Sequence, residues 1–140
     1  MAIFGYWRDG YIGVNGVDLS DHAREISLET SVAELPSDVH GDFVAKVNAG
    51  LENWTINATL LQDFAASKVD ATFAAIGGAG HTSFQLEVGA DKTTSVSATN
   101  PRYSGMAILS SYKPFGGAHG VNIESQATFR PASRLTRRIT

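Results

Sequence analysis

Hydrophobic and polar residues alternate along four stretches of the chain, at residues 25–33, 53–60, 83–88 and 121–129. In the second stretch, apolar residues stand at every even position, and Asn or Thr stands at every odd position from 53 to 59. Successive side chains of a β-strand point to opposite faces, so each stretch predicts a strand with one apolar and one polar face. The chain therefore predicts a sheet that buries one side and leaves the other in water.

Other segments add shorter strands and one helix. Asn15-Gly16 separates two short apolar runs, which predicts a hairpin because a type I′ turn needs positive φ at both central residues. Residues 94–98 and 102–112 are two more predicted strands, the first of them following a hairpin at 89–92. The apolar spacing then becomes helical from 66 to 76, where Ser67 and Asp70 have the spacing of a capping box.

Together these elements predict a mainly β protein. We expect an antiparallel β-sandwich or barrel of about seven strands with one flanking α-helix at about 66–76. The length of 140 residues suits one core, and we place this single domain at 10–130. Residues 1–9 contain several large apolar side chains and are expected to form a docking arm. The arm residues expected to contact a neighbour are Phe4, Tyr6 and Trp7.

Residues 35–50 interrupt the alternating pattern with proline, glycine and short polar residues. A connection of this length without its own periodicity is uncommon in a compact domain and usually has a function. Its apolar residues predict packing against a partner molecule. The candidate contact residues are Pro36, Val39, Phe43, Val44 and Val47.

Charge is distributed unevenly along the chain. The sequence has 11 Lys and Arg against 14 Asp and Glu, which gives a net charge of −3. Four arginines fall in the last eleven residues, which contain no acid, so residues 1–129 carry a charge of −7. We expect the basic tail, residues 131–140, to be a solvated and frayed terminus. The alternative is an arm whose Arg134, Arg137 and Arg138 pair with acidic groups on a neighbouring copy.

The sequence lacks the residue patterns of common catalytic and metal sites. It has no cysteine, which excludes a thiolate nucleophile, and none of its four histidines has a partner at metal-binding spacing. Glu25 and Glu29 would stand about 13 Å apart along a strand, too far for an acid–base pair. We therefore predict no enzyme activity, no cofactor and no metal. No run of about 18 apolar residues is present, so we also expect no membrane-spanning segment.

The polar residues of the four alternating stretches include acids, amides and hydroxyls but no Lys or Arg. Binding of a polyanion depends on cations that replace the counterions of its phosphates. A face of this kind predicts a surface that nucleic acid passes without binding. The candidate residues are Glu25, Glu29, Asn53, Asn57 and Glu124.

Four segments, in order, resemble a known family: YIGVNGVDLSDH at 11–22, GLENW at 50–54, QDF at 62–64 and NPRYSG at 100–105. With them, residues 10 to about 130 resemble the major tail tube proteins of long, non-contractile-tailed bacteriophages. The resemblance implies a β-sandwich with one flanking helix, no cofactor and no reaction. It also implies hexameric rings whose inner sheets join into a barrel and whose stacking builds the conduit for genome delivery.

The resemblance further implies partners and a location. Copies of the chain would meet through the loop at 35–50, the arm at 1–9 and the tail after Arg130. The tube would contact tail terminator, distal tail and tape-measure proteins, while transiting DNA is not bound specifically. Such a protein is assembled in the bacterial host cytoplasm and stays in the virion tail. The alternatives are a tail terminator, a baseplate ring, a secretion-system tube and, more distantly, a carbohydrate-binding β-sandwich.

Overall fold

The structure is a computed structural model that describes residues 10–78 and 82–140. The predicted docking arm, with Phe4, Tyr6 and Trp7, lies outside the described residues. The elements are β1 Tyr11–Val14, β2 Val17–Asp18, a 3₁₀ turn Ser20–His22, β3 Ala23–Pro36, β4 Val47–Leu61, α1 Val69–Gly78, β5 Phe84–Gly89, β6 Arg102–Lys113, β7 Glu124–Pro131 and β8 Thr136–Arg138.

The strands form one antiparallel sheet in the order β2-β1-β5-β6-β7-β4-β3, and β8 pairs with β6 beside β7. Strand β6 joins two halves of this sheet. Its first half, up to Ala107, pairs with β5, and its second half, from Ala107 to Lys113, pairs with β7. A bulge between Leu109 and Ser111 interrupts the second pairing, and bulges of this kind bend a strand.

The sheet folds over on itself into a sandwich. Strands β3 and β5 are separated in the sheet by three other strands, yet Ile26 and Leu28 of β3 line one groove with Val88 of β5. The inner faces of both halves meet in a single apolar core, which includes Ile12, Trp54, Leu86 and Phe129. The predicted mainly β sandwich with one helix is confirmed.

Helix α1 covers the core at the far end of β4. Its Phe73 ring lies 4.8 Å from the Tyr112 ring and 5.9 Å from the Phe129 ring, measured between centroids. Burial raises the pKa of Tyr112 to about 12, and the Tyr112 hydroxyl donates a hydrogen bond to Asp70. The Asp70 carboxylate therefore accepts from Tyr112. Within residues 10–78 and 82–140, no hydrogen bond joins Ser67 and Asp70 as the predicted capping box would require.

Three local predictions need correction. Residues 94–98 do not form a strand, because the Asn100 amide donates to the carbonyl oxygens of Asp91, Thr94 and Ser95 and gathers this segment into a turn. The interruption at 35–50 is shorter than expected, since β3 and β4 stay paired up to Pro36 and Val47. The helix begins at Val69 rather than at 66.

Candidate functional site

The outer faces of β3, β4 and β7 form one continuous polar surface, which we call the polar face. Direct cross-strand pairs on it include Glu29 with Thr55 and Asn57 with Thr128. The Thr128 hydroxyl donates a 2.9 Å hydrogen bond to the Asn57 amide oxygen. The polar face exists because the same strands turn their alternate residues, such as Ile56, into the core.

The structure brings all five sequence-predicted face residues onto this surface. Glu25 and Glu29 lie on β3, Asn53 and Asn57 on β4, and Glu124 on β7, each in phase with the outward positions of its strand. The third alternating stretch, at 83–88 and now part of β5, lies in the other half of the sheet. The neighbour of β7 is instead the second half of β6, which contributes Ser111 and Lys113.

The expectation of a face without bases is wrong for the assembled surface. Arg24 ion-pairs with Glu124, and the Arg130 guanidinium donates a 2.9 Å hydrogen bond to the Thr55 hydroxyl. Lys113 stands opposite Gln126. Arg130 follows the fourth stretch directly and is in phase with Glu124, so extending the alternation by one residue would have found it. No local signal could show that β6 lies next to β7.

Two strand edges border the polar face and have no strand partner among residues 10–78 and 82–140. Strand β3 is the last in the sheet order, so its outer edge is unpaired along its length. Strand β6 loses its β5 partner beyond Ala107, which leaves the edge at 108–113 unpaired on that side. The four strands β3, β4, β7 and β6 alternate in direction. The two free edges therefore run antiparallel to each other.

The β3–β4 hairpin extends beyond the core and ends in an apolar tip at 37–46. Phe43 is fully exposed, and Val39 and Val44 are 69% and 70% exposed. The tip has internal order, because the Asp42 carboxylate accepts the Val39 N–H at 2.8 Å and pairs with Lys46 at 3.1 Å. Pro36 and Val47 face each other at the base of the tip.

The basic tail does not have the frayed form expected from its sequence. Thr136–Arg138 form β8, and Leu135 packs against the core. Arg134 binds Glu52 through two 3.0 Å hydrogen bonds. Arg138 pairs with Glu87 at 2.9 Å, and Arg137 donates to the Ala98 carbonyl. All three arginines thus contact acceptors of their own chain, and whether they also contact a neighbour stays a prediction.

His22 and Asp63 form a pair that the sequence did not indicate. The His22 Nε2 lies 2.9 Å from an Asp63 carboxylate oxygen and ties the 3₁₀ turn to the connection between β4 and α1. The hydrogen bond from the Ala65 backbone N–H is the main reason that the pKa of Asp63 lies below its usual value, and the hydrogen bond with His22 is the second.

Within residues 10–78 and 82–140, no three acidic or histidine side chains come together as a metal site. No helix in that part of the chain is long and apolar enough to cross a bilayer.

Comparison with known proteins finds no matching family model. A search of curated proteins also finds no match. Solved structures do match. A chain of the virion of a native gene transfer agent particle aligns with a TM-score of 0.74 and 12% identity, over 92% of this chain and 95% of the other. The SPP1 tail tube aligns with a TM-score of 0.71 and 9% identity, over 99% of this chain and 80% of the other.

A third match is the tail of an empty gene transfer agent particle with C6 symmetry. Its TM-score is 0.63 at 13% identity, over 82% of this chain and 81% of the other. At such identities the likeness shows a shared fold, which this chain has in common with the SPP1 tail tube and with the gene transfer agent chains. The chain has the β-sandwich with one helix that the resemblance implied.

Proposed function

We propose that this protein is the subunit of a virion tail tube, the conduit through which a genome leaves the particle. The observation that carries the proposal is the four-stranded sheet β3-β4-β7-β6, which has a polar outer face and, among the described residues, an unpaired edge on each side. Unpaired edges are liabilities in a free subunit. Joining the β3 edge of one copy to the β6 edge of the next removes both edges and continues the antiparallel order.

The C6 symmetry of the structurally similar gene transfer agent tail supports a ring of six copies. Six copies of a four-stranded sheet give a closed barrel of 24 strands. In this ring the polar face lines the channel. Glu25, Glu29, Asn53, Asn57 and Glu124 are the proposed lumen residues. The β3–β4 hairpin, with Pro36, Val39, Phe43, Val44 and Val47, is proposed to bind neighbouring copies or rings.

The same proposal assigns the other tail components as partners. A tube of this kind ends on a tail terminator and a distal tail protein, and it encloses a tape-measure protein during assembly. The chain acts as a structural protein and carries out no reaction. Heterologous, head-to-tail contacts account for both levels of assembly, because one contact closes the ring and a second repeats along the axis.

Engineered disulfides test the ring contact directly, because the natural chain has no cysteine to interfere. Ser27→Cys on the β3 edge is combined in turn with a cysteine at each of positions 108–112 on β6. We expect at least one combination to give an oxidised ladder that ends at six copies on a denaturing gel. Each single variant serves as the matched control and should stay monomeric on the gel, since like edges do not meet in a head-to-tail ring.

Electron microscopy of the concentrated protein tests the tube itself. Long tubes with a central channel support the proposal. Single rings that never stack point to a tail terminator or baseplate ring, and a monomer at every concentration would overturn the assembly proposal altogether.

A further inference from the structure

We infer that rings stack by docking the hairpin tip, residues 37–46, on an apolar patch at the opposite end of a copy in the next ring. The patch, which we call the end patch, consists of Phe64, Phe115, Val121 and Ile123. This inference rests on the proposed tube function and adds the surface that receives the hairpin. The occupant is a second copy of this chain.

The tip and the end patch lie at opposite ends of the same strands. Strand β4 starts beside the tip at Val47 and runs 15 residues to Leu61, a distance of roughly 50 Å. Directly after Leu61, the Gln62 N–H donates to the Ile123 carbonyl at 2.9 Å, and the Gln62 side chain donates to the Pro114 carbonyl. Gln62 thereby holds the segments of Phe64, Phe115 and Ile123 together at that end.

Both surfaces expose large apolar groups that the described part of the chain, 10–78 and 82–140, leaves uncovered. In the end patch, Phe64, Phe115, Val121 and Ile123 are 59%, 64%, 62% and 51% exposed. Scattered exposed apolar residues are normal, but contiguous apolar patches mark interaction sites. Two such surfaces at opposite ends of one chain generate a head-to-tail contact that repeats without limit, which is the geometry of a stacked tube.

The charges beside the two surfaces are complementary. Asp38 stands exposed at the start of the tip, and Lys113 stands exposed where β6 enters the loop of the end patch. Within residues 10–78 and 82–140, neither side chain has a hydrogen-bond or ion-pair partner. Lys113 reaches over Gly116 in that loop, and Gly116 directly follows Phe115 in the chain. An Asp38 from the next ring supplies the missing anion at the rim of the contact.

A mixing experiment tests the head-to-tail contact. The tip variant carries Phe43→Ser and Val44→Ser, and the patch variant carries Phe115→Ser and Ile123→Ser. We expect each variant to form rings by native mass spectrometry but no tubes by electron microscopy. An equimolar mixture of the two should give stacks of two rings and nothing longer, because only one intact tip–patch pair remains available. Ile139→Thr, an exposed aliphatic residue outside both surfaces, is the control and should form full tubes.

A charge exchange gives a second test that leaves the apolar residues in place. Asp38→Lys and Lys113→Glu should each shorten tubes several-fold at low salt, and the double variant should restore their length. Patch variants that still form full tubes, or a double charge variant no better than either single one, would overturn the inference while leaving the tube proposal intact. If the natural chain itself formed no rings, that result would instead contradict the proposed function.

Discussion

Asn100 is the residue on which the irregular β5–β6 connection depends. Its side chain is 4% exposed, and its amide group donates to three carbonyl oxygens at 3.0–3.3 Å. A carboxylate at this position would place negative charge against those carbonyls and would have no proton to donate. Asn100 therefore combines burial with a role that no acid of the same shape can perform.

We predict that Asn100→Asp lowers the free energy of unfolding by about 3 kcal/mol, and that Asn100→Ala lowers it by about 2 kcal/mol. The measurement is urea unfolding at neutral pH. Asn122→Asp is the matched control, because Asn122 is exposed in the β6–β7 loop, and its effect should stay within about 0.5 kcal/mol. Equal effects at the two positions would refute the role assigned to the Asn100 amide.

Among the elements, β8 illustrates how charge fixes a short edge strand. Glu87 of β5 is only 14% exposed and accepts from Arg102 at 3.4 Å and from Arg138 of β8 at 2.9 Å. Arg102 also stacks on the Tyr11 ring at 4.0 Å. Three residues of β8 provide few ladder hydrogen bonds, so we infer that this ion network is what keeps β8 on β6.

We expect Glu87→Gln to cost about 2 kcal/mol of unfolding free energy, because it leaves two guanidinium groups without their anion in a half-buried setting. Hydrogen exchange at 136–138 should accelerate more than exchange in β4. Glu34→Gln, an exposed acid on the hairpin, is the control. Unchanged protection of β8 would show that its backbone pairing alone suffices.

Asp63 anchors the connection into α1, and its depressed pKa makes that anchor sensitive to acid. The Ala65 N–H and then His22 lower the pKa of Asp63 from its usual 3.8. A carboxyl group whose pKa is lower in the folded state than in the unfolded state stabilises the fold at any pH above the unfolded-state pKa. This stabilisation is lost as the pH falls through the folded-state pKa. We predict that Asp63→Asn is less stable than the natural chain near pH 6 and that the gap narrows below pH 3.8. Thermal unfolding across pH 2.5–6 measures it, and a gap independent of pH would contradict the linkage.

The elements also show which parts of the fold local sequence determines. Alternation predicted β3, β4 and β7 because half-buried strands require it, and the Asn15-Gly16 turn has the positive φ that its sequence demands. Residues 94–98 have strand-like composition, but the buried Asn100 captures their carbonyls, and no local pattern reveals that contact. Pro36 and Gly50 suggested a loop, whereas pairing between β3 and β4 carries both strands past those positions.

At the scale of the whole molecule, the composition of the polar face depends on topology. The five face residues lie at outward positions, because period-two alternation determines the face of each strand, and whether they line a channel stays a prediction. Arg130 continues the alternation of β7 and could have been found, whereas Lys113 could not, because only the strand order brings β6 beside β7. The face therefore holds three acids, Glu25, Glu29 and Glu124, and three bases, Arg24, Lys113 and Arg130. The polar face is therefore near-neutral and rich in amides and hydroxyls, instead of the acidic face expected from the separate stretches.

Because the polar face is near-neutral, we expect a few added positive charges to make the proposed channel bind DNA. Glu25→Lys with Glu29→Lys changes the polar face of one copy by four charges, and the proposed ring of six copies would bring this change together around one channel. Each added cation displaces counterions from the passing phosphates, so binding should strengthen steeply as salt is lowered. Both residues are exposed and belong to no ion pair in residues 10–78 and 82–140, so assembly should survive the change.

We accordingly predict normal tubes from the Glu25→Lys, Glu29→Lys variant but slower DNA release per filled particle, with the delay growing at low salt. Glu25→Gln with Glu29→Gln removes the same acids without adding bases and should release DNA at close to the natural rate. Release is followed by fluorescence of a DNA-binding dye after triggered opening. Normal release from assembled lysine-variant particles at low salt would place the polar face away from the channel and would leave the fold, but not the lumen assignment, standing.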